Sequence, residues 1–136
     1  GSDAHVRALH DYGLALSMGF QIIDDVLDLT GDEEVVGKSL GTDLSRCKMT
    51  LPMIHFLAHG PREDRAAVRR TLEAGRGGEE APRIRELVLA AGPVEFARRR
   101  AAEQVLHARQ CLAGLPRTTA RTSLESLADY VLERRR

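Results

Sequence analysis

The nine residues from Gln21 to Leu29 read QIIDDVLDL, and they restrict the possible folds more than any other stretch of the chain. On a helical wheel at about 100° per residue, Gln21, Asp24, Asp25 and Asp28 fall within an arc of roughly 100°. Met18, Phe20, Ile22, Ile23, Val26, Leu27 and Leu29 fill the remainder. A surface helix has a broad polar face, so a helix that is apolar nearly all round with a narrow acidic stripe is expected at the centre of a bundle. Residues 4–30 contain no proline and end at Gly31-Asp32, a stop signal, which predicts one long helix.

Carboxylates on a buried helix repel one another and lose hydration, a penalty that a cation must offset. Hard oxygen donors suit Mg²⁺, which keeps several waters and takes one or two protein carboxylates together with phosphate oxygens. The DDxxD spacing therefore points to a metal-bridged diphosphate held by Asp24, Asp25 and Asp28. The alternative is an acidic cluster at a helix end, facing solvent.

The segment after the stripe favours the first reading. Of the 20 basic residues, 18 are Arg and 2 are Lys, and both lysines, Lys38 and Lys48, lie in the stretch that follows the acids. A compact ammonium meets a phosphate as a point charge, without the planar fork of Arg, which suits a crowded diphosphate site.

In order, FQIIDDVLD (residues 20–28), Gly37-Lys38, Gly41-Thr42-Asp43-Leu44 and Lys48-Met49-Thr50-Leu51-Pro52 resemble the second aspartate-rich region of trans-polyprenyl diphosphate synthases. Leu9-His10-Asp11-Tyr12-Gly13 and residues 127–134 are similar to family segments as well. The resemblance implies an all-α fold, the C-terminal part of an isoprenoid-synthase-type helical bundle. It further implies a prenyltransferase, in which an allylic diphosphate ionises, isopentenyl diphosphate attacks the cation and a proton is lost. Asp24 and Asp28 would hold Mg²⁺ on the allylic diphosphate with Asp25 in support, Lys38 and Lys48 would meet the diphosphate oxygens, and Gln21 would line the same face. Asp43 matches a family acidic position near the metal's water shell; a cap on a short turn is the other reading. Cys47 stands where the family has Gly, which bears on the aim of Lys48.

The family's other aspartate-rich motif is not found in residues 1–136, so the chain is expected to be a C-terminal fragment that is inactive alone. A fragment of a bundle exposes apolar flanks, so it is expected to self-associate as a homo-oligomer. Two competing functions are a terpene cyclase and a noncatalytic subunit of a heteromeric synthase. A cyclase's second metal motif needs Ser or Thr at the place of Asp28 and Glu at the place of Asp32, and the chain has neither.

The remaining pattern completes an all-α layout. A loop with a short helical turn is expected over residues 31–50, and a short helix opened by Pro52 and ended by Gly60. Another runs from Pro61 to Ala74, with a surface loop over residues 75–80, and a short amphipathic helix around Ile84, Leu87, Val88 and Ala91 is closed by Gly92-Pro93. Residues 94–112 carry Phe96, Ala97, Ala101, Val105, Ala108 and Leu112 near one stripe; the last helix, about residues 120–133, is expected to bury Leu124, Leu127, Ala128, Val131 and Leu132.

Residues 3–136 are read as one helical domain, with Gly1-Ser2 as a tag remnant. Zero net charge argues against a nucleic-acid partner. Charged residues interrupt every apolar run, so no membrane span is expected. Cys47 and Cys111 are far apart with no CxxC spacing, which fits free thiols in a reducing cytoplasm. His55 and His59 have i,i+4 spacing but no intervening acid, and a packing role is expected. Arg98, Arg99, Arg100 and Arg109 read as a solvated basic face.

Overall fold

The computed structural model describes residues 2–31, 44 and 49–134. Apart from the helical Leu44, the helices of the described residues are, in order, α1 Asp3–Thr30, α2 Leu51–His59, α3 Arg62–Glu73, α4 Ala81–Ala90, α5 Pro93–Cys111 and α6 Thr119–Glu133. No strand occurs among the described residues, and the all-α class is observed. No helix among them is long and apolar enough to cross a membrane.

Proline and glycine set most of the boundaries. Pro52 lies in the first turn of α2, where its missing N–H costs nothing, and α2 ends at Gly60, whose N–H bonds to the Phe56 carbonyl at 2.8 Å. Pro61 caps the start of α3. Gly75 (φ 72°) and Gly92 (φ 74°) end α3 and α4 in the left-handed region that an L side chain enters only with strain. The start of α6 is one residue earlier than expected, because the Thr118 hydroxyl accepts from the Arg121 N–H at 3.2 Å.

The described residues divide into two compact units, one formed by those of 2–23 and 98–134 and the other by those of 24–97, the divisions falling inside α1 and α5. In the first unit, Tyr12 and Ala15 of α1, Ala101, Val105 and Ala108 of α5 with Leu112 just past its end, and Ala128 and Val131 of α6 are buried. Gly19 faces Ala101 and Val105, where small residues let backbones approach closely. Tyr12 donates its hydroxyl to the Leu124 carbonyl at 2.7 Å. Arg109 donates to Asp129 at 2.9 Å and to the Glu125 carbonyl at 3.2 Å, while Arg121 pairs with Glu125 at 2.8 Å. Arg109 thus belongs to a cross-helix ion-pair network rather than to the solvated basic face; Arg98, Arg99 and Arg100 are exposed as expected.

Two side chains of α6 depart from expectation: Leu127 and Leu132 are exposed. Leu124, Ala128 and Val131 share an arc of about 60°, and Leu127 and Leu132 lie on either side of it, where packing within this unit does not reach. Val6, Leu9, Leu14, Met18 and Phe20 on α1 are also exposed.

The second unit is built on Leu29, Leu44, Met53, Phe56, Val68, Ala81, Ile84 and Val88, all buried together. Residues 75–80 are non-helical, with Gly75, Arg76 and Glu79 exposed as expected of a surface loop, but Gly77 is buried: a methyl placed on it would lie 2.9 Å from Leu72 Cδ2 and 3.1 Å from Leu44 Cβ. α4 starts at Ala81, with Pro82 in its first turn, and its buried face is Ala81, Ile84 and Val88. His55 stacks on Phe96 with centroids 4.1 Å apart and rings 15° from parallel, and lies 4.8 Å from His59, so His55 has the packing role expected of it.

Candidate functional site

The acidic stripe occupies the last two turns of α1. Helical geometry places Asp24 and Asp28 about 6 Å apart along the axis on one face, with Asp25 beside them. Ile22, Ile23, Val26 and Leu29 are buried, so the apolar anchoring of this end of α1 is as the periodicity predicts. The acids themselves are less enclosed than a central helix implied: Asp24 and Asp25 are half-buried, and Gln21 and Asp28 are exposed. Met18 at 53% and Phe20 at 44% exposure do not form the apolar wall expected around the stripe. The desolvation penalty argued above therefore bears on Asp24 and Asp25 and falls away for Asp28.

Hydrogen bonds between described residues hold the end of α1. The Gly31 N–H bonds to the Leu27 carbonyl and the Thr30 hydroxyl to the Val26 carbonyl, each at 2.9 Å. Arg85, on α4, donates its Nε–H to the Leu29 carbonyl at 2.9 Å. Sequence reasoning missed Arg85, because nothing local links it to a helix 56 positions upstream. The one available signal was that α1 has no basic residue in its last turn to meet the carbonyl end of the helix.

Lys38, Asp43 and Lys48 lie outside the described residues. Between the last two, Leu44 is described: it is helical, 3% exposed and part of the second unit's core. Among the described residues no three His, Cys, Asp or Glu side chains gather into a metal-ligand set. Cys47 is likewise outside the described residues, while Cys111 is a free thiol whose pKa is pushed up by burial and by the charge of Asp11.

The chemistry of the stripe fits a divalent ion. Two carboxylates at i,i+4 on a half-open face leave most of an octahedral shell to water and phosphate oxygens, which is how Mg²⁺ is usually held.

Similarity to known proteins follows the same line. The polyprenyl synthetase family profile matches residues 1–89. The octaprenyl diphosphate synthase of Escherichia coli (strain K12) is 38% identical over 130 residues, covering 96% of this chain and 40% of that protein. The short chain isoprenyl diphosphate synthase of Methanothermobacter thermautotrophicus is 37% identical over 134 residues, 98% of this chain and 41% of that protein. The chain thus spans about 40% of the length of these curated relatives.

Among solved structures, the polyprenyl synthase of Roseobacter denitrificans superposes with a TM-score of 0.82 at 36% identity, over 98% of this chain and 43% of that one. The polyprenyl synthase of Caulobacter crescentus, complexed with calcium and isoprenyl diphosphate, gives 0.80 at 37% identity, over 100% of this chain and 42% of that one. With a family profile covering well over half of its residues and an all-α architecture shared with these synthases, the chain belongs to the polyprenyl synthetase family.

Proposed function

We propose that this chain supplies the second aspartate-rich motif of a prenyltransferase that condenses an allylic diphosphate head-to-tail with isopentenyl diphosphate in isoprenoid biosynthesis. The observation that carries the reading is the placement of Asp24, Asp25 and Asp28 together on one face of α1, half-open to a ligand, over an anchor of buried Ile22, Ile23, Val26 and Leu29. Family membership supports it.

In this reading Asp24 and Asp28 hold Mg²⁺ against the diphosphate and Asp25 supports them. Bound Mg²⁺ supplies charge neutralisation on the diphosphate leaving group. Gln21, on the same face, offers an amide to the substrate. Lys38 and Lys48 would meet diphosphate oxygens as the allylic carbon–oxygen bond breaks, and Asp43 would serve waters bound to the metal. The double bond of isopentenyl diphosphate then attacks the allylic cation, and loss of a proton completes the new chain unit.

Because the chain spans about 40% of its curated relatives, we propose that it does not turn over on its own. The exposed apolar residues of α1 and α6 support self-association, a homo-oligomer being the expected state. The free Cys111 thiol is compatible with the expected cytoplasmic location.

The test is a condensation assay in the full-length protein that carries this chain, with Mg²⁺ and both diphosphates. Chain elongation that disappears with chelator and falls in Asp28→Asn supports the reading. Elongation indifferent to both sinks it. Elongation by the isolated 136-residue chain would overturn the statement that it is inactive alone.

A further inference from the structure

The acids of the stripe sit at the unfavourable end of their helix. The C-terminal end carries partial negative charge from carbonyls that no backbone N–H of the helix can satisfy, and it repels carboxylates unless Lys, Arg or His is placed there. Asp24, Asp25 and Asp28 lie in the last two turns of α1, and its last turn has no basic residue. Among the described residues a cation comes from another helix: Arg85 of α4 reaches the Leu29 carbonyl, one residue beyond Asp28, at 2.9 Å.

The root of this contact is fixed. Ile84, the neighbour of Arg85, and Val88, one turn on, are 2% and 0% exposed in the same core that buries Leu29. A half-buried guanidinium on a pinned helix therefore caps a carbonyl on the turn that bears the acids. A charge-assisted hydrogen bond of this kind is stronger than a neutral one, and its loss lets the last turn fray.

We propose that Arg85 is a positioning residue for the diphosphate site. It keeps the turn with Asp25 and Asp28 wound and places positive charge at the end of the helix that would otherwise repel them. The inference rests on the reading that the stripe binds magnesium diphosphate. Arg85 acts through α1 and need not touch the substrate.

The test uses the full-length protein carrying this chain, titrated calorimetrically with magnesium pyrophosphate, together with hydrogen exchange of the Gly31 amide in metal-free protein. In Arg85→Gln, pyrophosphate affinity should fall by about tenfold, the scale of one charge-assisted hydrogen bond, and Gly31 exchange should quicken. Arg85→Lys keeps the charge but not the Nε–H, and should lie between parent and Arg85→Gln in both readouts. Val68→Ala, a core truncation on α3, should lower the melting temperature yet leave affinity at the parent value.

Parent-like affinity and exchange in Arg85→Gln would overturn the proposal, as would an equal loss of affinity in Val68→Ala. If Arg85→Gln does not fold, Arg85→Lys decides: parent values in both readouts overturn the proposal. Asp24→Asn separates the two ideas. If it binds pyrophosphate like the parent, the site reading itself is wrong. If it loses binding while Arg85→Gln does not, only the role of Arg85 fails.

Discussion

Replacing Tyr12 by Phe removes one oxygen and leaves the ring, so it isolates a single hydrogen bond in the unit that holds the first part of α1. The Tyr12 side chain is 5% exposed, and its hydroxyl donates to the Leu124 carbonyl at 2.7 Å, a short O–H···O separation. A net contribution of about 1 kcal/mol is expected for such a bond, which for a chain of this size corresponds to a melting temperature lower by about 4 °C near neutral pH. The same burial adds a pH signature. It favours the neutral phenol and raises the folded-state pKa above the usual value of about 10. As pH rises, the unfolded chain therefore ionises first. The stability that Tyr12 contributes is complete below about pH 10 and is lost as the pH climbs towards the folded-state value.

Tyr12→Phe lacks this alkaline loss, so the gap between parent and variant should narrow between neutral pH and about pH 11. Thermal unfolding followed by circular dichroism at several pH values measures both effects. Equal melting temperatures at neutral pH would refute the energetic part. A gap that stays constant or widens in alkali would refute the claim that burial holds the phenol neutral.

Other expectations follow from the packing. Gly19→Ala should stabilise by about 0.5–1 kcal/mol in chemical denaturation, because the new methyl meets Val105 Cγ2 at 3.4 Å, the Ala101 carbonyl oxygen at 3.5 Å and Gln104 Cβ at 3.6 Å, all ordinary contact distances, while the helix gains Ala propensity. Gly60→Ala should destabilise by about 1–3 kcal/mol, since its methyl would fall 2.7 Å from the Phe56 carbonyl oxygen. Phe56→Ala, at a fully buried position, should cost about 3–5 kcal/mol and unfold the second unit first, as read by hydrogen exchange. Cys111 should react slowly with a thiol reagent at neutral pH and faster in Asp11→Asn, because burial and the Asp11 charge both disfavour the thiolate.

Helix order was legible because its signals are local: Gly31, Gly60-Pro61, Gly92-Pro93 and the Gly114-Pro116 break each act within a turn or two of where they stand. Burial was legible where one stripe is narrow and apolar, as at Ala97, Ala101, Val105, Ala108 and Leu112, all at or below 3% exposure. It was not legible at Leu127 and Leu132, since a leucine at the margin of a stripe looks the same in sequence whether or not a neighbour covers it. Gly77 reads as loop material, and only the distant Leu44 and Leu72 make it a buried contact. The acidic stripe could be found from spacing alone, but its half-open setting depends on which elements stand over it, and the cation at its end comes from Arg85, far along the chain.

In the proposed function the carboxylates on α1 act together on a metal-bound diphosphate. The most direct measurement is the single-turnover rate of prenyl transfer in the full-length protein with Asp24→Ala, at saturating Mg²⁺ and both diphosphates. Loss of a carboxylate that would hold the cation neutralising the departing diphosphate predicts a fall of about 10²–10³-fold with helical content unchanged. A rate within about twofold of the parent would rule this role out, because a ligand needed to hold the charge-neutralising cation cannot be removed at so little cost to the barrier.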